Sequence, residues 1–175
     1  VLFVASEVSP FARTGGLGDV VGSLPKALRD RGVDVRVVVP LYAGIPWDEL
    51  QVLDGALSVP MGFGDVTARL RMSRLPRSEV PIYFLEHRGY FDRPTLYGPS
   101  GAEFADNIER FAFLSRGALE AALALGFKPD VVHAHDWHTA LVPVYMDSDP
   151  RLGALHQGAS LFTIHNLAHQ GLGGP

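Results

Sequence analysis

Cysteine is absent from the sequence. That excludes a disulfide framework and any metal site built on thiolates. Basic charge is scarce too: Lys and Arg number 15 against 19 Asp and Glu, for a net charge of −4. A chain of that sign offers no extended basic face, so no nucleic-acid partner is expected. No apolar run approaches the roughly 18 residues of a membrane-spanning helix, and no membrane role is expected. The opening VLFVASEVSP has neither a basic segment nor a cleavage pattern and does not read as a secretory leader. Repeats and low-complexity tracts are missing as well. What is present is 175 residues, 47% of them apolar, enough for one domain with its own core. The chain starts on Val1 and ends on GLGGP, and both ends read as cuts in a longer polypeptide.

Apolar periodicity organises the chain. VLFVA (Val1–Ala5) is a short unbroken apolar run, the pattern of a strand buried on both faces. RTGGLGDV (Arg13–Val20) then leads into a helix with Val20, Val21, Leu24, Ala27 and Leu28 on one face. Pro25 lies inside that helix and is expected to bend it; Gly32 caps it. VDVRVVVP (Val33–Pro40) is the next buried strand and completes a βαβ unit with parallel strands. Further on, VTARLRMS alternates apolar with polar residues, which marks a strand with one wet face. With PIYFLE behind it, this region reads as a hairpin elaboration at a sheet edge.

The strand–helix alternation then resumes. SGAE (Ser100–Glu103) fits a capping box ahead of a long helix. Its buried stripe is expected at Phe104, Ile108, Phe111, Leu114, Ala118, Ala122 and Leu125, and Gly126 ends it. DVVHAHD (Asp130–Asp136) is a strand, WHTALVPVYM opens a helix, and LFTIHN (Leu161–Asn166) is the last strand. The expected fold is α/β: a Rossmann-like parallel sheet with flanking helices.

Three polar-rich segments fall at carboxyl ends of strands: the glycine loop, HDWH and HNLAHQG. Ligands of open parallel sheets bind in the crevice outside those ends, so the three are expected to converge. The glycine loop is not a dinucleotide fingerprint. Val21 stands where the third glycine should be, and no acid ends the second strand. A nicotinamide cofactor is not expected. What is left is a glycine loop at a helix N-terminus with Arg13 beside it. Free amides and a guanidinium suit a phosphate or diphosphate; a plain connection rich in left-handed residues is the equal alternative.

His133 and His135 lie two apart on a strand and face one side. His-x-His is also a zinc-ligand pattern, but hydrolases that use it are barrels of about 250 residues. The plainer reading of His133 is a satisfied core histidine. Asp136 can accept a sugar hydroxyl or N-cap the next helix. Trp137 reads as packing. His165 and Asn166, with Gln170 nearby, offer neutral donors and acceptors suited to a polyol, and His169 reads as surface. Arg88, Tyr90 and Phe91 offer aromatic faces to a pyranose ring, with structural packing the equal alternative.

RTGGLGDVVGSLPKAL, YFDRP, DVVHAHDWHTALVPVYM and FTIHNLAHQG occur in this order. Together they resemble the bacterial glycogen synthases and plant starch synthases, from Val1 almost to Pro175. The resemblance implies one half of a two-domain GT-B glycosyltransferase. Residues 1–175 correspond to the N-terminal, acceptor-side domain, with the donor-binding C-terminal domain outside this chain. It implies retaining transfer of glucose from ADP-glucose (or UDP-glucose) to the non-reducing end of an α-1,4-glucan, with no metal and no cofactor. It also implies a cytoplasmic enzyme, or a plastid one in a plant.

Residue by residue, the resemblance puts Gly15 and Gly16 at the donor's phosphates and glucose. Arg13 stands where the family has a lysine implicated in donor binding, a planar fork in place of a compact ammonium. Asp19 belongs to the same loop site. Asp136 and His165 line the cleft near the transferred glucose, Asn166 adjoins them, and Phe91 falls where the family has an aromatic near the substrate. The family's E-x7-E pair has no counterpart, since no two glutamates here have that spacing; transfer by this chain alone is not expected. Two other classes stay open: a non-catalytic glucan-binding or regulatory module, and a metal-dependent hydrolase built on HAHDWH.

Overall fold

The computed structural model describes residues 1–99 and 102–172. Its eight strands are β1 (Leu2–Val4), β2 (Arg36–Pro40), β3 (Gln51–Val52), β4 (Leu57–Met61), β5 (Gly64–Arg74), β6 (Pro81–Glu86), β7 (Val131–His135) and β8 (Ala159–Thr163). They run in the order β3-β5-β6-β2-β1-β7-β8, with β4 paired to β5. The pairs among β6, β2, β1, β7 and β8 are parallel; β5 meets β6, β3 and β4 antiparallel. The helices are α1 (Gly16–Arg29), α2 (Arg88–Phe91), α3 (Asn107–Ala124) and α4 (Leu141–Ser148). The α/β parallel sheet with flanking helices is the fold that the strand patterns imply.

The four inner parallel strands are almost wholly buried, and their unbroken apolar runs are the cause. PIYFLE bears out the hairpin, pairing antiparallel with β5 across the Leu75–Val80 turn, and corrects only its place at an edge. It is β6, pairs in parallel with β2 (Val37 opposite Ile82, Val39 opposite Phe84), and belongs to the body of the sheet. Only β3, β4 and β5 form the antiparallel elaboration. The run Ile82–Leu85, fully apolar, carries the buried-strand signature that the alternating β5 beside it masks.

The helices also shift some expected faces. On α1 the buried residues are Leu17, Gly18, Val21, Gly22 and Pro25, while Leu24 is exposed. The helix turns its small residues inward because loop and helix approach closely. A Cβ on Gly22 would stand 2.7 Å from the Ser9 carbonyl oxygen. The helix is continuous through Pro25. Gly32, at φ 84°, closes the turn after it: Gly32 N–H donates to the Arg29 carbonyl and Val33 N–H to that of Leu28.

Helix α3 begins at Asn107, so Phe104 precedes it, and Ser100 of the expected capping box lies outside the described residues. Ile108 is 48% exposed, whereas Phe111, Leu114, Ala118 and Ala122 are buried as expected. Nearly the whole circumference from Arg110 to Ala122 is covered, because α3 touches the sheet strands β1, β2 and β6 as well as β4 and α4. Gly126, at φ 61°, ends it with the paired bonds of a Schellman turn, Phe127 N–H to Ala122 and Gly126 N–H to Leu123.

Strand order reverses at β1. The chain goes from β1 to β2 on one side and returns later as β7 on the other. The loops leaving β1 and β7 therefore diverge and open a crevice at the carboxyl edge of the sheet.

Candidate functional site

A cavity of about 660 Å³ occupies that crevice. Gly15 and Gly16 line one wall; Asp136, Trp137, His165 and Asn166 line the opposite one. The three carboxyl-end segments do converge, since the first leaves β1, the second leaves β7, and the third follows β8, paired to β7.

The glycine wall is held by a residue that composition and motif did not single out. Glu7 is 3% exposed and accepts four hydrogen bonds. Its Oε2 takes the Thr14 and Gly15 amides at 2.7 and 3.2 Å. Its Oε1 takes the Thr14 hydroxyl and the Tyr97 phenol, both at 2.6 Å. Tyr97 in turn lies 2.9 Å from the Ser6 hydroxyl. Burial, with Tyr42 and Glu7 nearby, keeps the Tyr97 phenol well above its ordinary range and so protonated as a donor. The amides of Thr14 and Gly15 are thus spent on Glu7. The amides available to an anion are those of the first turn of α1, from Gly16 on, which have no intrahelical acceptor.

Gly15 and Gly16 need no glycine for backbone or packing reasons. Gly15 is extended (φ −157°), Gly16 starts the helix, and a Cβ on either would meet no protein atom within 4 Å. The space in front of them is the cavity itself. Gly18 differs: a Cβ there would stand 3.1–3.2 Å from Arg13 and Glu7.

Arg13 and Asp19 lie outside the lining and bind each other, Nε to Oδ1 at 2.6 Å and Nη2 to Oδ2 at 2.8 Å. Both are about half exposed. The hydrogen bond to Arg13 holds the Asp19 carboxyl below the usual carboxylate range.

Across the cavity, Asp136 stands at φ 57°, ψ 177°, a region that side chains avoid. Its Oδ1 accepts the His165 amide at 2.6 Å, and its own amide donates to the Thr163 carbonyl. The carboxylate does not N-cap the following turn, which corrects that alternative. It clamps the segment after β8 onto the end of β7. His165 and Asn166 sit just beyond β8, whose last residue is Thr163.

Behind His165 runs a ladder of rings. Phe3 and His133 pack against His135 within the sheet, with 3.9 Å between the two histidine centroids, and His165 lies edge to edge with His135, its ring within 15° of parallel. His133 Nε2 bonds the Thr163 hydroxyl at 2.7 Å, so it is a satisfied core histidine. His135 Nδ1 meets His165 Nε2 at 2.9 Å. Burial, reinforced by His133 and His165, pushes His135 down to about 3. These rings bond one another and a threonine, and among the described residues no group of three or more His, Asp or Glu is arranged to hold a metal ion.

Phe91 is the residue the structure places elsewhere. It is fully buried in α2, edge-on to Tyr42 at 5.7 Å, and offers no face to a sugar. Tyr90 is also buried and donates to Glu109; Arg88 lies over the Trp47 ring. Of this segment, Arg93 holds Asp106 at the start of α3.

The model of the starch synthase catalytic domain matches residues 1–175. The chain belongs to this family. It is 51% identical to glycogen synthase 1 of Geobacter sulfurreducens over 98% of its own length, and 46% identical to the glycogen synthase of Myxococcus xanthus over the same share. It spans about 35% of the length of these curated relatives. Among solved structures it is similar to the catalytic domain of starch synthase IV from Arabidopsis thaliana, bound to ADP and acarbose. The TM-score is 0.83 at 33% identity, over 97% of this chain and 34% of that one. In this chain the cavity at the strand-order reversal is where the glycine loop, Asp136 and His165 come together.

Proposed function

We propose that the chain is the N-terminal, acceptor-side part of a two-domain GT-B glucan synthase. The intact polypeptide transfers glucose, with retention, from ADP-glucose or UDP-glucose to the non-reducing end of an α-1,4-glucan in the cytoplasm. The single observation that carries this reading is the empty space in front of Gly15 and Gly16. These glycines face the cavity with nothing of the protein for a side chain to meet. A bound group is what would need them small. The ADP and acarbose of the plant relative support a nucleoside diphosphate sugar and a glucan as that group.

In this reading the first-turn amides of α1 take the diphosphate. Asp136 and His165 hold hydroxyls of the transferred glucose, with Asn166 beside them. Arg13 exchanges Asp19 for the diphosphate. That exchange costs little, since an exposed ion pair contributes about 0–1 kcal/mol, while a charge-assisted bond to phosphate contributes roughly 1.5–3.

The test is labelled-glucose incorporation by the intact polypeptide into glycogen, with wild type and Gly16→Ala compared. The added methyl should leave thermal stability unchanged or slightly raised, because Gly is the weaker helix former by ~0.5–1 kcal/mol. It should raise the donor KM about ten-fold or more. No incorporation by the wild type from either donor would overturn the proposal; an unchanged donor KM in Gly16→Ala would remove the glycine wall from the site.

A further inference from the structure

Resting on the glucosyl-transfer reading, we propose that His135 is a positioning residue that fixes which nitrogen of His165 carries the proton. His135 donates from Nδ1 to His165 Nε2, and His165 is thereby held as the Nδ1–H tautomer, a neutral donor at the cavity.

The His135 ring is fully buried, with Phe3 and His133 packed against it and His165 at its edge, and two nitrogens must be accounted for. Nδ1 faces His165 Nε2 at 2.9 Å, so one of the two carries hydrogen and the other does not. His135 Nε2 is buried with no partner. If His135 accepted at Nδ1, its neutral ring would carry hydrogen on Nε2, and a buried N–H would be orphaned. If it donates from Nδ1, only a lone pair is left unpaired there. Orphaned buried N–H groups are the rarer and costlier defect. Burial holds His135 neutral in this setting, so a doubly protonated ring is not the escape.

The consequence passes to His165. With Nε2 accepting, its single proton sits on Nδ1, the ring nitrogen for which no protein partner is found among the described residues. Free histidine prefers the opposite tautomer, with the proton on Nε2. The bond from His135 therefore selects the minor form. The tautomer sets the direction of the bond: a protonated Nδ1 donates to an oxygen of the bound sugar, whereas a bare Nδ1 could only accept from a hydroxyl. The backbone of His165 is pinned separately by Asp136 at 2.6 Å, so ring placement and protonation are set by two different residues.

The experiment is imidazole ¹⁵N–¹H correlation NMR at neutral pH on this chain, uniformly ¹⁵N-labelled, with His165 assigned from the signals lost in His165→Gln. The expected spectrum shows His165 protonated at Nδ1 and bare at Nε2, and His135 protonated at Nδ1. His135→Phe keeps the stacked ring and deletes the bond; His165 should then move to the Nε2–H form. In the intact polypeptide the same variant should lose about ten- to a hundred-fold in kcat. His135→Asn, whose amide reaches the Nδ1 position, should recover most of that loss. Wild-type His165 protonated at Nε2 overturns the proposal, as does a tautomer unmoved by His135→Phe. If His135→Phe does not fold, the wild-type spectrum alone decides. The NMR readout needs neither donor nor glucan, so a polypeptide that transfers no glucose defeats the functional reading and leaves the tautomer assignment standing.

Discussion

At the scale of single residues, Asp136 combines two demands that pull against each other. Its backbone occupies φ 57°, ψ 177°, a region essentially reserved for glycine, at a cost of order 1–3 kcal/mol. Its carboxylate takes the His165 amide and faces the cavity. Strain of this kind persists where the side chain is needed. Asp136→Ala should therefore destabilise the chain, contrary to a purely substrate-facing role, because it loses the clamp and keeps the strain. Asp136→Gly loses the clamp but relaxes the backbone, and should be more stable than the alanine variant by about 1 kcal/mol. In the intact polypeptide both should lose most of the glucosyl transfer. Urea midpoints of the two variants, side by side, measure the difference. Equal midpoints would show that the backbone is not strained.

At the scale of elements, β7 and the turn after it bury three histidines, His133, His135 and His138, and burial lowers the pKa of each. His135 and His138 are each pushed down to about 3, His135 by burial with His133 and His165, His138 by burial with His169 and Arg110. Unfolded, each titrates near 6.5. Between those values the unfolded chain binds more protons, so stability falls as pH drops below about 6.5. By pH 5 the loss approaches ~2 kcal/mol for each of these two. Carboxylates do not share this window; Asp106, for example, is held below the usual range by its bond to Arg93. Urea midpoints should decline from pH 7.5 to 5, and His135→Phe should show a shallower slope, with His133 and His138 carrying the remainder. A flat series would mean that these rings are not buried neutral.

The same elements show what a sequence exposes and what it conceals. β1, β2 and β7 are legible because parallel strands covered on both faces must be apolar without interruption. β6 has the same signature, and the alternating β5 before it marks the hairpin that the two strands form; its second, parallel partner β2 is not written in a local pattern. The glycine loop, Asp136 and His165 are legible as a site because all three follow strands at one edge. Glu7 is not, since its partner Tyr97 lies 90 residues away. The His135–His165 bond spans 30 residues and is hidden for the same reason. Phe91 shows the reverse error: an aromatic beside polar residues looks available, and only packing reveals that Tyr42 and Phe113 enclose it.

At the scale of the whole molecule, the parallel sheet is covered unevenly. β8 is the outer parallel strand, and four of its five residues are exposed. Leu161 and Phe162 are 50% and 39% exposed, and neighbours on a strand point to opposite faces, so both faces are open. Ile164, just beyond, is 53% exposed. Its outer backbone groups are an unpaired row as well, and an apolar edge of this kind templates pairing with another chain. No Lys, Arg, Asp or Glu stands between Ala159 and Asn166 to oppose that pairing. This chain, at rising concentration, should therefore associate through β8. Leu161→Lys combined with Ile164→Lys should hold it monomeric by sedimentation equilibrium, since two ammonium groups would have to be buried against their own copies. Both side chains are already half in water, so each substitution should change stability by no more than about 0.5 kcal/mol. Association that persists undiminished in the double variant would place the contact elsewhere, and a collapse in stability would show that the rim is structural.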